Sequence, residues 1–306
     1  MAVPSDSSEA TTARVIFVLV PGQGTRSEGV APLQSARVAS CAQDELGLDV
    51  TRLTAEQLSG NTYYAQLAVG VRALDRIDRL RKERSDLFAQ PGTQTCFAGF
   101  SVGEIPALVG AGKLSLRDGL RVLRARAAAM QSACEAVPGT MVTLQGVQDE
   151  TALLAHGSIA SKLYPGCCVV AGPSAKLTKV NWVPELAERA RVRTDLAGAF
   201  HTEQMTPGAD AIRNLRGKVM PARGRPDSVI FANVSGKLYT DTDDVLECLA
   251  DQVVSTVQWE SILQSIVADP RPKVIVDLAS KGQFRAMLRS IDPSLVEDES
   301  LFVEFQ

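Results

Sequence analysis

The sequence predicts an α/β fold built on a parallel sheet, and three observations point to it. Short apolar runs such as Val15–Val20 and residues 96–100 end directly in glycine-containing loops, which is typical of buried central strands. Further runs of this kind occur at residues 229–234 and 274–278. Segments with apolar residues at helical spacing separate them. Buried strands that alternate with helices favour a parallel sheet covered by helices.

Helices are predicted where apolar residues recur at three- and four-residue spacing. Between the first two strands, residues 55–58 and 64–80 show this spacing. A longer helix begins at Ser115, which forms a capping pattern with Asp118, and its apolar face extends to Met130. Further helices are predicted at residues 206–216, 243–254 and 258–268.

Residues 137–199 show a shorter alternation of strands and helices than the rest of the chain. Strands are predicted at residues 141–144, 167–171 and 193–196, and helices near residues 149–156 and 184–190. A segment of about 60 residues is within the lower range of domain sizes. We therefore expect an inserted small module. Residues 15–136 and 200–306 together would form the main core, after a disordered lead-in at residues 1–14.

The composition argues against several classes of function. The chain has 32 Lys and Arg residues against 35 Asp and Glu residues, and this balance argues against nucleic acid as a partner. The apolar run Val15–Val20 is far shorter than the roughly 20 residues that a membrane-spanning helix needs, so no membrane partner is expected. Six cysteines form no C-x-x-C pair, and two histidines are too few for a site built on several imidazoles. Neither a metal nor a tightly bound cofactor is expected.

The strongest local signal is Gly99-Phe-Ser101-Val-Gly103, which lies between a predicted strand and a predicted helix. In a nucleophile elbow, the two glycines permit a tight turn that exposes the serine hydroxyl at the start of a helix. Backbone N–H groups at that helix end can stabilise an oxyanion. Ser101 is therefore a candidate nucleophile, and the alternative is a purely structural turn.

A serine nucleophile needs a base, and the chain offers two histidines. His201 follows Gly198-Ala-Phe in a predicted loop, from which its side chain could reach the end of another strand. His156 follows a predicted helix of the small module, and we expect it to be structural. His201 is therefore the candidate base.

Two further residues lie in suggestive places. Gln23 belongs to the loop Pro21-Gly-Gln-Gly24 at the end of the first strand, where open α/β sheets bind ligands. The loop lacks the remaining residues of a phosphate-binding motif, and an alternative use is a backbone N–H directed toward the serine. Arg126 lies on the long helix, where an arginine that extends to solvent is the common situation.

In order and spacing, five motifs resemble those of the malonyl-CoA:acyl carrier protein transacylases. They are Pro21-Gly-Gln-Gly24, Gly99-Phe-Ser-Val-Gly-Glu104, Arg126 with Met130-Gln131, Gly198-Ala-Phe-His201, and Val257-Gln-Trp259. The resemblance covers residues 15–291. Phe100 and the segment Tyr164-Pro-Gly-Cys-Cys168 are more similar to the mitochondrial branch of eukaryotes. The resemblance implies an α/β-hydrolase-like core with an inserted ferredoxin-like small subdomain.

The resemblance also implies a role for each candidate. Ser101 would be the acylated nucleophile and His201 its base, and the backbone carbonyl of Gln258 would orient the imidazole. The backbone N–H groups of Gln23 and Val102 would form the oxyanion hole.

Arg126 would hold the malonyl carboxylate through two parallel hydrogen bonds, a geometry that a guanidinium supplies. The implied reaction is a ping-pong transfer of malonyl from CoA to the phosphopantetheine thiol of an acyl carrier protein, for type II fatty acid synthesis. Malonyl-CoA and the acyl carrier protein are the implied partners, with no further cofactor. We expect a monomer in the mitochondrial matrix, with the cytoplasm as the alternative.

Two other functions remain open at this point. A serine esterase or thioesterase would share the elbow and send the acyl group to water, but it has no use for Arg126. A non-catalytic subunit that binds carrier proteins would keep the fold, but it has no need of Ser101 or His201.

Overall fold

The computed structural model describes residues 14–24, 31–177, 189–192, 198–279 and 282–306. The strands are β1 (Val15–Val20), β2 (Gln94–Gly99), β3 (Gly139–Gln145), β4 (Ser158–Tyr164), β5 (Cys167–Pro173), β6 (Arg191–Val192), β7 (Ser228–Ile230), β8 (Val257–Gln258), β9 (Lys273–Asp277) and β10 (Phe302–Glu304). The α-helices are α1 (Ala36–Leu46), α2 (Ala55–Gly60), α3 (Thr62–Glu83), α4 (Ser85–Phe88), α5 (Glu104–Gly110), α6 (Leu116–Ala136), α7 (Ser174–Leu177), α8 (Thr206–Arg213), α9 (Val245–Val254), α10 (Trp259–Ala268), α11 (Gln283–Arg289) and α12 (Ser294–Glu297).

The main sheet is parallel throughout, in the order β10-β9-β1-β2-β7. The central strand β1 is buried at every residue, as its unbroken β-branched and aromatic run predicts. The carboxyl ends of β1, β2, β7 and β9 lie along one edge, where open parallel sheets place their ligands. The predicted α/β class is confirmed.

The second sheet has the order β6-β3-β5-β4-β8 and a small apolar core of its own. Strands β3, β4, β5 and β6 pair antiparallel in the order expected of a ferredoxin-like unit. Strand β8 comes from outside residues 137–199 and adds a parallel edge beside β4. The small module is therefore joined to the core through a shared sheet.

Several elements differ from the sequence prediction. Strand β4 was not predicted, because bulges beside Ile159 and Lys162 interrupt the alternation of apolar and polar residues. The helix predicted near residues 149–156 is a short 3-10 turn, Thr151–Ala155. Helix α1 was also missed.

Three predicted segments lie wholly or largely outside the described residues. They are the lead-in at residues 1–14, the helix at 184–190 and the strand at 193–196.

Helix α6 begins as predicted, since Ser115 accepts a hydrogen bond from the backbone N–H of Asp118. It packs against α3 on one side and α8 on the other, which buries its middle turns. Arg126 lies in that buried stretch and points into the interior.

Among the described helices, none is long and apolar enough to cross a membrane.

The turn after β2 depends on two glycines. A Cβ atom on Gly99 would overlap the backbone of Gly103, and a Cβ atom on Gly103 would overlap the carbonyls of Val20 and Pro21. The obstructing atoms are backbone, so a side chain on Gly99 would force the turn to open, and one on Gly103 would force the turn away from the end of β1.

We predict that Gly99→Ala lowers the free energy of unfolding by about 3 kcal/mol, because the added methyl group overpacks a rigid turn. The matched control is Gly60→Ala. Gly60 is an exposed helical residue with open space around its Cβ position, and this substitution should cost nothing. Urea denaturation of both variants checks the difference, and equal stabilities would contradict the packing argument.

Candidate active site

Ser101 lies directly after β2 in a left-handed backbone conformation with φ 53°. This conformation is costly for a residue with a side chain and persists only where surrounding bonds enforce it. The N–H of Ser101 donates to Asn233 Oδ1 at 2.8 Å, and Asn233 Nδ2 donates to the carbonyl of Gly99 at 2.6 Å. One buried amide therefore clamps both sides of the turn and directs the hydroxyl away from the sheet.

His201 is the partner of that hydroxyl, as the sequence indicates. Its Nε2 lies 2.8 Å from Ser101 Oγ, and its Nδ1 lies 2.8 Å from the backbone carbonyl of Gln252. The carbonyl can only accept, so Nδ1 carries the proton and Nε2 is left to accept from the serine hydroxyl. His201 also has a left-handed backbone, with φ 61°. Among the described residues other than glycine, only Ser101 and His201 have positive φ values.

The environment keeps His201 neutral. Burial in the cleft lowers the pKa of the imidazole to about 4, the positive charge of Arg126 acts in the same direction, and the carbonyl of Gln252 opposes them. A neutral imidazole at physiological pH can take up the serine proton, which is the requirement for a general base.

The prediction that the carbonyl of Gln258 orients His201 is wrong, because Gln252 fills that position. Gln252 lies in the last turn of α9, where the final four carbonyls have no partner within the helix. One of these carbonyls is therefore free to accept from the imidazole. Gln258 lies beyond the helix in β8, where its N–H donates to the carbonyl of Asn233.

Arg126 is 2% exposed and points at the serine. Its Nη1 donates to Gln66 Oε1, and its Nη2 lies 3.3 Å from both Ser101 Oγ and Gln252 Oε1. Burial lowers the pKa of the guanidinium to about 10, and the carboxyl of Glu104 opposes that shift, so the group remains charged at neutral pH. A buried cation beside a nucleophile provides a binding position for an anionic group of the substrate.

A cleft lies between the two sheets, and Ser101, His201 and Arg126 line it. Met141 and Leu163 of the small sheet form one wall, and Met287 of α11 belongs to the other side. Seven polar and seven apolar side chains line the cleft, so it can contact both the polar and the apolar parts of an organic ligand.

Of the two residues predicted for the oxyanion hole, Gln23 lines the cleft and Val102 follows Ser101 in the chain. Gln23 lines it from the end of β1, with its side chain bonded to Thr62 at 3.0 Å. Val102 is the residue after the serine, in the 3-10 turn that leads into α5. Their backbone roles remain predictions.

Four polar residues of the site were not assigned from the sequence. They are Gln66, Glu104, Asn233 and Gln252. Asn233 carried a usable signal, since it is a polar residue inside the apolar run predicted at residues 229–234. Gln252 also carried one, as an amide at helical spacing from Val245 and Leu249 in a predicted helix. Among the described residues, no group of three or more His, Cys, Asp or Glu side chains is placed to hold a metal ion.

We predict that Asn233→Ala lowers the free energy of unfolding by about 3 kcal/mol, because it leaves the N–H of Ser101 and the carbonyl of Gly99 buried without a partner. The matched control is Asn214→Ala at an exposed position after α8, which should change stability by less than about 0.5 kcal/mol. Guanidinium denaturation checks the prediction, and similar losses at the two positions would contradict the clamp.

Known proteins resemble the chain over most of its length. Residues 35–292 match the acyl transferase domain family. The probable mitochondrial malonyl-CoA-acyl carrier protein transacylase of Drosophila melanogaster is 31% identical over 281 residues, covering 81% of this chain and 71% of that protein. The mitochondrial malonyl-CoA-acyl carrier protein transacylase of Mus musculus is 31% identical over 278 residues, with the same coverage.

The crystal structure of MCAT from Mycobacterium tuberculosis superposes with a TM-score of 0.79 at 25% identity, covering 95% of each chain. The chain belongs to the acyl transferase domain family and, within it, to the malonyl-CoA:acyl carrier protein transacylases.

Proposed function

We propose that the protein is a malonyl-CoA:acyl carrier protein S-malonyltransferase that acts in type II fatty acid synthesis. It transfers malonyl from CoA to the phosphopantetheine thiol of an acyl carrier protein through an ester on Ser101. The observation that carries the assignment is the position of Ser101 Oγ, which lies 2.8 Å from a neutral imidazole and 3.3 Å from a buried guanidinium.

In the first half-reaction, Ser101 Oγ attacks the thioester carbonyl of malonyl-CoA while His201 Nε2 takes the hydroxyl proton. The backbone N–H groups of Gln23 and Val102 would stabilise the oxyanion of the tetrahedral intermediate. The intermediate then collapses with loss of the CoA thiolate, which takes the proton from His201. The Gln252 carbonyl, at the negative end of α9, stabilises the imidazolium that forms in between.

In the second half-reaction, the carrier protein's thiol gives its proton to His201 and attacks the malonyl ester. The serine oxygen leaves and recovers the proton from the imidazolium. The same imidazole is base and acid in both directions, because its Nδ1 stays bonded to a carbonyl that never changes its protonation state.

Arg126 explains why the acyl group would be malonyl. A carboxylate in the cleft pairs with a guanidinium that is already buried and oriented by Gln66 and Gln252. An acetyl group leaves that charge without an anionic partner, which costs several kcal/mol in a buried site. Acetyl-CoA should therefore be a poor donor.

The two alternative functions are less consistent with this geometry. A backbone carbonyl rather than a carboxylate orients His201, which departs from the usual hydrolase triad. The intact contact between Ser101 and His201 has no purpose in a non-catalytic subunit.

The setting of the reaction follows from the relatives. Both curated relatives are named as mitochondrial and as acting with acyl carrier protein, which supports an acyl carrier protein as the partner. We propose that the protein acts as a monomer in the mitochondrial matrix. No resident cofactor takes part, because the residues of the cleft supply the nucleophile, the base and the anion-binding group.

We predict that malonyl-CoA raises the mass of the intact protein by one malonyl group and that Ser101→Ala abolishes the increase, because the ester forms on Ser101. Intact-protein mass spectrometry after brief incubation, with peptide mapping, checks both statements. An unchanged circular dichroism spectrum shows that the variant is folded. An adduct that persists in the variant would place the nucleophile elsewhere.

We predict that Arg126→Ala lowers kcat/KM for malonyl-CoA about 100-fold, equivalent to about 3 kcal/mol. The value of kcat/KM for acetyl-CoA should change little, because acetyl has no carboxylate. The discrimination between the two donors should therefore decrease. The matched control is Arg124→Ala on the same helix, where the side chain is exposed and donates to the carbonyl of Glu45. If Arg126→Ala lowered kcat/KM equally for both donors, Arg126 would not be the group that binds the malonyl carboxylate.

A further inference from the structure

Glu104 is a buried carboxyl group that the proposed reaction does not use. It is 1% exposed and lies at the start of α5, three residues after the nucleophile. A carboxyl group without water around it is costly unless its oxygens are bonded. Its contacts therefore indicate what it does.

Three donors converge on the two oxygens of Glu104. Gln252 Nε2 donates to Oε2 at 2.8 Å, the hydroxyl of Tyr239 donates to Oε1 at 2.8 Å, and the N–H of Asn233 donates to Oε1 at 3.3 Å. A deprotonated carboxylate accepts only, so this environment matches the charged form. Its negative charge also opposes the buried positive charge of Arg126.

The hydrogen bond to Glu104 fixes the orientation of the Gln252 side-chain amide, which also bonds to Ser101 and Arg126. Gln252 Nε2 donates to both Glu104 and the carbonyl of Ser101, while its Oε1 accepts from Arg126. A rotated amide would place Oε1 against two acceptors and its NH₂ group against a donor. The carboxylate therefore selects the amide orientation that holds Arg126, and it fixes the residue whose carbonyl holds His201.

The contact with Asn233 acts on the nucleophile itself. Glu104 accepts from the backbone N–H of Asn233, whose side chain clamps the N–H of Ser101 and the carbonyl of Gly99. The strained turn and the imidazole are thus linked through one carboxylate.

We propose that Glu104 is a positioning residue for the malonyl transfer, and that its deprotonated carboxylate holds Gln252 and Asn233 in the arrangement that aligns Ser101, His201 and Arg126. The inference rests on the proposed function. Protonation of Glu104 places a hydrogen where a donor now points, so the aligned arrangement is lost.

The alignment therefore depends on pH. Burial raises the pKa of Glu104 to about 7, and the hydrogen bonds from Gln252, Tyr239 and Asn233, with the charge of Arg126, oppose that shift. The carboxylate is deprotonated and the site aligned above this pH, and both are lost as the pH falls through it.

Other titratable groups face Glu104 from the elements around it. They are Arg126 on α6, Tyr239 after β7, and Cys248 on α9, with Asp243 beyond the last two. Burial lowers the pKa of Arg126 to about 10, raises that of Cys248 to about 11, and raises that of Tyr239 well above its usual value. Burial lowers the pKa of His201, whose Nδ1 is bonded to the carbonyl of Gln252, to about 4. Among these groups, Glu104 is therefore the one whose pKa lies in the neutral range. The pKa of Asp277, at the end of β9, is also raised to about 7 by burial, and Asp277 has no contact with Gln252 or Asn233 in the bonds described above.

The test is the single-turnover rate of malonyl-ester formation at saturating malonyl-CoA, between about pH 5 and pH 8. Wild-type protein should lose rate as the pH falls through about 7. This decrease is the acidic limb of the pH–rate profile. We expect Glu104→Gln to react about tenfold more slowly at the alkaline end and to lack the acidic limb. Its apparent affinity for malonyl-CoA should stay within about twofold of the wild-type value. A general loss of stability would lower the rate without removing a specific limb.

Tyr239→Phe supplies an independent measurement that does not depend on the folding of Glu104→Gln. It removes one donor from the carboxylate, so the pKa of Glu104 should rise and the limb should move to higher pH. The matched control is Glu45→Gln, which changes a buried glutamate that pairs with Arg117 and Arg121 at the start of α6. This control should leave the limb in place.

The inference is overturned if Tyr239→Phe leaves the limb unmoved or if Glu104→Gln keeps both the wild-type rate and the wild-type limb. In either case wild-type protein still forms the malonyl ester, and the proposed function stands. A wild-type protein that forms no ester would instead overturn the proposed function, and this inference with it.

Discussion

The left-handed backbone at Ser101 is the constraint on which the rest of the site depends. This conformation raises the free energy of a residue with a side chain. Backbone packing and the side-chain amide of Asn233 stabilise it. Gly99 lets the turn close on itself, Gly103 lets the turn approach the end of β1, and Asn233, which follows β7, bonds both sides of the turn. Three adjacent parallel strands thus end at one point, and the serine hydroxyl projects from it into the cleft.

The electrostatics of the cleft follow from this placement. The hydroxyl faces an imidazole that burial keeps neutral and a guanidinium that burial does not neutralise. The imidazole takes the proton of the Ser101 hydroxyl, and the guanidinium binds an anion. An acyl group with a terminal carboxylate can therefore present its carbonyl to the serine and its carboxylate to the guanidinium. The group that selects the substrate and the groups that react with it therefore lie within a few ångströms of one another.

The sequence predicts the parts of the molecule that depend on local pattern. Val15–Val20 reads as a buried strand because its signal is continuous, and Ser101, His201 and Arg126 stand out in short motifs. Asn233 and Gln252 reach the serine from 132 and 151 positions away, and no local pattern records contacts of that range. The assignment of Gln258, which the family resemblance implied, failed for a related reason. Gln252 lies near the end of one predicted helix and Gln258 begins the next, and only the observed end of α9 shows which carbonyl remains unpaired.

The most direct test of the account is the fate of the malonyl ester once it has formed. Isolated malonyl-protein would be mixed with an acyl carrier protein that bears its phosphopantetheine arm, or with buffer alone, and the loss of the ester followed by mass. The account predicts fast transfer to the carrier thiol and slow loss to water, because pairing of the malonyl carboxylate with the buried guanidinium of Arg126 holds the acyl group inside the cleft. Equal rates of loss with and without the carrier protein would identify a hydrolase and contradict the central claim.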